Sequence, residues 1–300
     1  MAQALSWACP QSAWIPEVTE TESGTAVVGA GRMGTALAIR LAQGGHRIGA
    51  VASRTPASAE RLALATGAVR VTSPATAALS CRVTLITVPD SQIAGVAAAV
   101  AEAGAPDGLS GHVIAHCAGS LGMDPLRACA LAGAAVAVLH PLAPVPDGDP
   151  VSLEGAFATL EADAEAAEPM SELCRWLGLG IIPWGGWDRG LYHAAAVLAG
   201  VLPAAIEGVA ERAALANGMG EALQDGLRQL FYLAATNVRR LGPVAGLSGP
   251  TTRSDWQTTA AHRRALGTID PRLAELLDLT LSLAPSASET RSTPGGGEDE

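Results

Sequence analysis

The sequence predicts an α/β protein in which a doubly wound, mostly parallel sheet is followed by an all-helical C-terminal domain. From Thr25 to Trp184, short runs of β-branched and apolar residues alternate with helical stretches, which is typical of a parallel sheet covered on both faces. After Trp184, long helical patterns follow one another without a convincing strand. The 300 residues, 49% apolar and 16% charged, are enough to bury the cores of two such domains.

These patterns divide the chain into four parts. We expect a flexible N-terminal arm over residues 1–23, the sheet domain over 24–184, the helical domain over 185–284 and a disordered tail over 285–300. The most apolar segment, Ala194–Ile206, is shorter than the roughly 20 residues that span a bilayer. We interpret it as a buried helix.

The elements of the sheet domain follow in order. Strands are predicted at Thr25–Gly29, Arg47–Ser53, Ala68–Val71, Arg82–Val88, His112–Cys117, Ala135–His140, Gly155–Leu160 and Leu179–Trp184. Helices are predicted between them, several with Pro near the first residue or Gly just after the last, at Gly31–Gln43, Pro56–Ala65, Pro74–Leu79, Ser91–Ala103, Asp124–Leu131 and about 162–177. The helical domain is predicted to contain Asp188–Ala216, Gly220–Leu241, Thr251–Leu266 and Pro271–Leu283.

The first strand runs into a glycine-rich turn that opens the first helix. The turn is a G-x-G-x-x-G sequence, Gly29-Ala30-Gly31-Arg32-Met33-Gly34. In a strand–turn–helix context the first glycine makes the tight turn, the second admits a pyrophosphate against bare backbone, and the third packs the helix on the sheet. The amides at the start of the helix then face the phosphates. This is the dinucleotide-binding turn of a Rossmann domain.

The end of the second strand indicates which dinucleotide is bound. An Asp or Glu there suits the ribose hydroxyls of NAD, whereas this strand is followed by Ser53-Arg54-Thr55 and no acid. We therefore predict NADPH, with its 2′-phosphate on these side chains, Arg32 over the adenine or in the same pocket, and Val88 and Pro89 under the nicotinamide ribose. The alternative is that Arg54 is a solvated loop cation.

Candidate catalytic groups follow the later strands. His116 and Ser120 come at the end of the fifth strand and His140 at the end of the sixth, and the carboxyl ends of parallel strands meet at one edge of the sheet. They are donors suited to a carbonyl oxygen that gains charge, as is His193, which follows Tyr192 at the start of the helical domain. Each histidine has the alternative of capping a loop by bonding backbone. His112 and His116 lie roughly 13 Å apart along a strand and cannot share a metal ion, so no metal is implied.

Two further residues are candidates for substrate binding. Arg253 is the best-placed cation for a substrate carboxylate, with Asp255 to orient it, at a helix start in the helical domain. An ordinary surface pair is equally compatible with the sequence.

Composition excludes several chemistries. All 19 cationic side chains are Arg, so Schiff-base, pyridoxal-phosphate and lysine-acid mechanisms are excluded. The net charge of −10 disfavours nucleic acid and anionic membranes as partners. The five cysteines are scattered, without zinc-site spacing, which suits a reducing cytoplasm.

Six motifs in this order resemble a bacterial two-domain family with a Rossmann-like NADP-binding domain and a helical domain of unknown function. They are VVGAGRMGTALA, SRT, HCAGSLGMDPL, LHPLAPVPD, LYHAAAVLAGVLPAAI and GPTTRSDWQTTAAHRRALG, within residues 24–270. The family is similar in plan to ketopantoate reductase, pyrroline-5-carboxylate reductase and F420-dependent NADP reductase. The resemblance implies a homodimer through the helical domain and a small carbonyl or imine substrate in a cleft between the domains.

The resemblance implies an NADPH-dependent reductase of a small 2-oxo acid, with 2-ketopantoate and pantothenate biosynthesis as the best single hypothesis. The sequence departs from its relatives where they carry Lys and this chain has Arg189, and where they carry Ser-Asn and this chain has Ala199-Gly200. Two alternatives therefore stay open: an imine reductase of the pyrroline-5-carboxylate type, and a protein that binds NADP(H) without turnover.

Overall fold

The computed structural model describes residues 24–71, 73–105, 108–250 and 255–283. The predicted N-terminal arm, the C-terminal tail and Arg253 lie outside these residues. Contacts divide the chain between Ala196 and Val197 into two compact units. The predicted domain bounds, 24–184 and 185–284, stay predictions.

The first unit is built on an eight-stranded sheet of order β3-β2-β1-β4-β5-β6-β7-β8. The pairs from β3 to β6 are parallel, β6 and β7 are antiparallel, and β7 and β8 are parallel again. The α/β, mostly parallel fold is confirmed. In chain order the strands are β1 Thr25–Val28, β2 Ile48–Ala52, β3 Val69–Val71, β4 Val83–Ile86, β5 Val113–His116, β6 Ala135–Pro141, β7 Phe157–Ala162 and β8 Gly180–Pro183.

Helices cover both faces of this sheet. Along β4, Leu85 packs into one buried cluster and Ile86 into another, because successive side chains of a strand point to opposite faces. Both faces must therefore be apolar, as in other covered parallel sheets. The helices are α1 Arg32–Gln43, α2 Pro56–Thr66, α3 Pro74–Leu79, α4 Asp90–Gly104, α5 Arg127–Leu131, which follows a 3-10 turn, α6 Ala164–Leu177, and α7 Arg189–Gly200, which crosses the division between the units.

The second unit is helical. It contains the end of α7, then α8 Leu202–Ala216, α9 Glu221–Gly246, α10 Trp256–Ile269 and α11 Pro271–Ser282. The chain kinks within α9 at Gly242, whose φ of 80° is left-handed, just before Pro243. The predicted helices are present with ends that differ by a few residues, except that the predicted Asp188–Ala216 is divided at Val201 into α7 and α8. The first residues of the predicted Thr251–Leu266 lie outside the described residues.

The apolar surface of α7 and α8 corrects one expectation. The segment Ala194–Ile206 was expected to be buried, yet Leu198 is 61% and Val201 58% exposed. Together Arg189–Ala216 is long and apolar enough to cross a membrane by length and composition, which is weak support for a span, and its most apolar window has no buried residue. The prediction of a buried helix is therefore wrong for the single chain.

Candidate cofactor and catalytic site

The glycine turn has the geometry that its three glycines predict. Gly29 has a φ of 114°, and a Cβ atom there would lie 2.8 Å from the carbonyl carbon of Thr87. A Cβ on Gly34 would collide with the carbonyl oxygen of Gly29. A Cβ on Gly31 would meet nothing within 4 Å, so the backbone there borders open space. The first and third glycines therefore make the turn possible, and the second leaves room for a ligand.

The first turn of α1 is suited to an anion. Gly31 caps the helix without a side-chain bond, and the first turn contains no acidic residue. The amides there point outward with the positive end of the helix dipole. Thr87 donates from Oγ1 to the carbonyl oxygen of Gly29 at 2.7 Å and so holds the end of β4 against the turn. A threonine at a strand end carries no sequence signal for this role.

The other predicted cofactor residues lie at the same edge of the sheet. Ser53 is half-buried after β2, while Arg54 and Thr55 are exposed, and Thr55 caps α2. Val88 is half-buried and the exposed Pro89 caps α4. Arg32 donates to the carbonyl oxygen of Pro146 at 3.2 Å, which holds the loop after β6 against α1. The residues directly after β2 include no acid, which is compatible with binding of a 2′-phosphate there.

His116 takes the loop-holding alternative. It is fully buried; its Nδ1 accepts from the amide of Ala118 at 3.1 Å, so its Nε2 carries the proton and donates to the carbonyl oxygen of Gly122 at 2.8 Å. Burial lowers the pKa of His116, and the Arg189 charge lowers it further. The bond to Gly122 and the Asp90 charge partly oppose this by raising the pKa. Both ring nitrogens of His116 thus bond the backbone of the loop after β5 and hold that loop. The catalytic role predicted for His116 stays a prediction.

His140 has a side-chain partner instead. Its Nδ1 lies 2.5 Å from the hydroxyl oxygen of Tyr192, which lies 2.8 Å from Oγ1 of Thr159. Thr159 is the residue of β7 directly opposite His140 in the antiparallel pair. Burial lowers the pKa of His140 to about 4, with further lowering by His193 and Arg189 and an opposing effect of Asp90. His140 is therefore a neutral imidazole at pH 7.

Gly119 makes the space for the His140 ring. A Cβ atom at position 119 would lie 2.6 Å from Cε1 and 2.7 Å from both ring nitrogens. Three nearly equal distances mean that the glycine faces the plane of the ring. Any side chain at this position would have to displace His140, because real Cβ atoms do not approach other atoms so closely.

An ion pair and aromatic rings surround Tyr192. Arg189 donates to Glu161, and its guanidinium carbon lies 3.9 Å above the centre of the Trp184 ring. The Tyr192 ring packs edge-on against Trp184 at 5.1 Å and stacks on Trp187 at 6.5 Å. In the sequence, Arg189 stands out only as a departure from the Lys of similar proteins, and Tyr192 only as the neighbour of His193.

Ser120 and His193, both predicted catalytic groups, lie near this cluster. Ser120 donates to Asp90 at 2.6 Å, at the start of α4. The His193 ring lies 5.7 Å from the His140 ring, edge to face, and its buried Nδ1 has no hydrogen-bond partner within the described part of the chain. Such an unsatisfied nitrogen is costly unless a ligand or water meets it.

Of the two predicted substrate-binding residues, the structure describes Asp255 only. Its side chain accepts from the amide of Thr258 at 3.1 Å and from the Thr258 hydroxyl at 2.8 Å, which caps α10. Within the described ranges no group of three or more His, Cys, Asp or Glu is arranged to hold a metal. Burial, with Cys174 nearby, raises the pKa of Cys117 to about 12, so this thiol beside His116 is not a nucleophile.

Two sequence families match the chain. Residues 11–141 match a Rossmann-like domain, and residues 156–282 match DUF2520, a domain of unknown function. The predicted resemblance to a Rossmann-like domain followed by a helical domain of unknown function is confirmed. No protein of curated function matches the sequence.

Solved structures share the fold. A Bacteroides fragilis protein, provisionally described as an NADP oxidoreductase, is 23% identical with a TM-score of 0.72, over 87% of this chain and 97% of that one. Pyrroline-5-carboxylate reductase from Coxiella burnetii is 17% identical with a TM-score of 0.59, over 88% and 98%. Reductive aminase from Aspergillus terreus, solved with NADPH and ethyl-5-oxohexanoate, is 20% identical with a TM-score of 0.57, over 89% and 90%. At these identities the likeness concerns the fold.

Proposed function

We propose that this chain, a Rossmann-like domain followed by a DUF2520 domain, is an NADPH-dependent reductase of a small 2-oxo acid, with 2-ketopantoate as the first substrate to test. One observation carries the proposal. The glycine turn after β1 and His140, which lies near the end of β6 and pairs with Tyr192, are at the same carboxyl edge of parallel strands, where open α/β sheets bind ligands.

The residues present fit NADPH. Gly29, Ala30, Gly31, Arg32, Met33 and Gly34 would hold the pyrophosphate against open backbone at an uncapped helix start without an acid. Ser53, Arg54 and Thr55 would bind the 2′-phosphate, and Val88 and Pro89 would lie beside the nicotinamide ribose. NADPH supplies a hydride when bound. Two solved structures of similar fold, one described as an NADP oxidoreductase and one solved with NADPH, support this assignment.

The protein's own part in the reaction is to hold the substrate and to protonate its oxygen. His140 is the proposed donor, since its Nδ1 bonds Tyr192 and its Nε2 makes no hydrogen bond within the described residues, whereas both nitrogens of His116 are bonded to backbone. His193, whose buried Nδ1 has no hydrogen-bond partner among the described residues, would bind the substrate. Arg253 stays the residue predicted to bind the substrate carboxylate, with Asp255 to orient it. Ser120, paired with Asp90, would complete the polar side of the site.

An imine reductase is the second candidate. Two of the similar structures are a pyrroline-5-carboxylate reductase and a reductive aminase. The Asp90 carboxylate beside Ser120 would suit a protonated imine, because a cation gains from a nearby anion. A protein that binds NADP(H) without turnover is the third.

Two measurements separate these candidates. Thermal unfolding with NADPH and with NADH comes first; a shift with NADPH and a smaller one with NADH supports the cofactor assignment. NADPH consumption is then followed with 2-ketopantoate, other 2-oxo acids and cyclic imines. Turnover of an oxo acid supports the proposal, turnover of imines alone supports the second candidate, and stabilisation without consumption supports the third. No stabilisation by either cofactor contradicts all three.

A homodimer through the helical unit and a cytoplasmic location complete the proposal. Helix α9 has no buried residue in the single chain, and Leu230 and Leu233 on it are 61% and 48% exposed. Exposed apolar surface of this extent is typical of a protein–protein interface, and most such interfaces in soluble oligomers join identical chains. We therefore propose a second copy of this chain as the partner. Four described cysteines are free thiols, as in a reducing compartment.

A further inference from the structure

We propose that Thr159 and Tyr192 form a hydrogen-bonded chain with His140 that fixes the proton of His140 on Nε2 and replaces it during turnover. Thr159 is the positioning residue of this chain. The inference rests on the proposed reductase function for its role in turnover. The hydrogen bonds themselves join protein side chains and do not depend on a substrate or a cofactor.

The three groups meet through the sheet register. Thr159 on β7 lies opposite His140 on β6, and α7 places the Tyr192 hydroxyl between them, 2.5 Å from Nδ1 of His140 and 2.8 Å from Oγ1 of Thr159. Thr159 is only 3% exposed, and Tyr192 is the partner of its hydroxyl among the described residues. The Thr159 proton therefore has one acceptor available to it.

This burial decides the direction of the chain. If Tyr192 donated to Thr159, Nδ1 of His140 would have to donate to Tyr192, and the Thr159 proton would be buried without an acceptor. An unpaired buried donor costs about 1–3 kcal/mol. In the opposite direction Thr159 donates to Tyr192 and Tyr192 donates to Nδ1, so every proton is used. His140 then carries its own proton on Nε2.

The same direction explains how a neutral imidazole can act as an acid. If His140 gave its Nε2 proton to a substrate oxygen alone, it would become an imidazolate, which is unfavourable near pH 7. In the proposed step the Nε2–H bond breaks as the substrate O–H bond forms, while the Tyr192 O–H bond breaks as an Nδ1–H bond forms. Tyr192 is left as a phenolate, and water returns its proton afterwards.

Thr159 stabilises that phenolate by donating to it. Burial raises the pKa of Tyr192, so it holds its proton at pH 7, while the Thr159 bond and the Arg189 charge oppose this rise. The charged and titratable groups around Tyr192 and His140 are Arg189 and His193 on α7, Glu161 on β7, which pairs with Arg189, and Asp90 on α4. Removing the Thr159 hydroxyl takes away the direct donor and leaves all of these in place.

The first test measures the Tyr192 pKa in the full chain without cofactor or substrate. The sequence has 2 tyrosines, so in a Tyr232→Phe background the ultraviolet signal of the phenolate comes from Tyr192 alone. A hydrogen bond to a charged group contributes about 1.5–3 kcal/mol, so Thr159→Val is expected to raise this pKa by about one unit or more. Thr159→Ser, which keeps the hydroxyl, should hold the pKa near its original value. An equal pKa in all three proteins overturns the inference.

The second test observes the tautomer directly. In protein labelled with ¹⁵N-histidine, with the His140 signals identified by their loss in His140→Gln, the proton is expected on Nε2. A proton on Nδ1 overturns the direction of the chain, whatever the enzyme does.

Kinetics connect the chain with turnover. Thr159→Val is expected to lower kcat at least tenfold with KM within about twofold, since the hydroxyl acts on a group that transfers a proton. If the expected pKa and tautomer are found in a protein that reduces nothing, the proposed function fails and the hydrogen-bonded chain stands. If the protein is a reductase in which Thr159→Val changes neither kcat nor the Tyr192 pKa, the inference about the hydrogen bonds is wrong and the proposed function stands.

Discussion

Replacement of Gly119 by alanine tests whether the His140 ring must lie where the structure has it. The new Cβ would lie 2.6 Å from Cε1, so the ring has to recede by about 0.8 Å to reach the ordinary contact distance of 3.4 Å. Gly119 is not among the glycines with positive φ, so the clash is the whole effect of the change. A forced shift of this kind costs about 1–3 kcal/mol of folding stability.

The same shift should impair catalysis more than stability. Displacement of a reacting group by about 1 Å can cost on the order of 10²-fold in rate, so we expect kcat/KM of Gly119→Ala to fall at least tenfold. Chemical denaturation and steady-state NADPH oxidation measure the two effects. Gly95→Ala is the matched control: Gly95 is exposed on α4 with nothing within 4 Å of its new Cβ, and alanine there should stabilise the helix by roughly 0.5–1 kcal/mol. A Gly119→Ala protein with wild-type stability and wild-type kcat/KM would refute the packing argument.

Three further predictions concern the cofactor, pH and assembly. Arg54→Gln should weaken NADPH binding about 10- to 100-fold and leave NADH binding within about twofold, because it removes only a charge-assisted bond to the 2′-phosphate. Calorimetry measures both affinities, and equal losses for the two cofactors would contradict the role of Arg54. Because the pKa of His140 is about 4 in the folded protein and near 6.5 when unfolded, the unfolded state takes up the proton first as pH falls. Stability should therefore decrease between about pH 6.5 and 4, by up to about 3 kcal/mol, and His140→Gln should flatten this slope in denaturation curves; an unchanged slope would count against it. Leu230→Glu should shift the protein from dimer to monomer in sedimentation, whereas a monomeric wild type would remove the dimer proposal.

Local chemistry explains why the cofactor turn was predictable and the hydrogen-bond partners of His140 were not. Gly29, Gly31 and Gly34 lie within six consecutive residues, and their roles follow from one strand, one turn and one helix. Thr159 and His140, in contrast, meet only because β7 pairs antiparallel to β6 in one register. The sequence predicted a strand there, but periodicity contains neither its direction nor its partner.

His116 illustrates a second limit of sequence reasoning. It and His140 both end strands, and both were candidates for the same role. The difference lies in the loop after β5, which brings the amide of Ala118 and the carbonyl of Gly122 onto both nitrogens of His116. Backbone satisfaction of this kind depends on loop conformation, which apolar patterns do not specify. The apolar surface of α7 and α8 shows a third limit: the apolar pattern predicts burial, whereas Leu198 and Val201 are exposed in the single chain.

Transfer of deuterium from NADPH labelled on the transferring face of the nicotinamide tests the central claim most directly. The protein is incubated with this cofactor and, separately, with 2-ketopantoate, a panel of other 2-oxo acids and cyclic imines, and the products are analysed by mass spectrometry. The account predicts a hydroxy acid that carries the deuterium on its former carbonyl carbon, with formation strongly reduced by His140→Gln. A product without deuterium, or no reduced product from any oxo acid or imine, would contradict it.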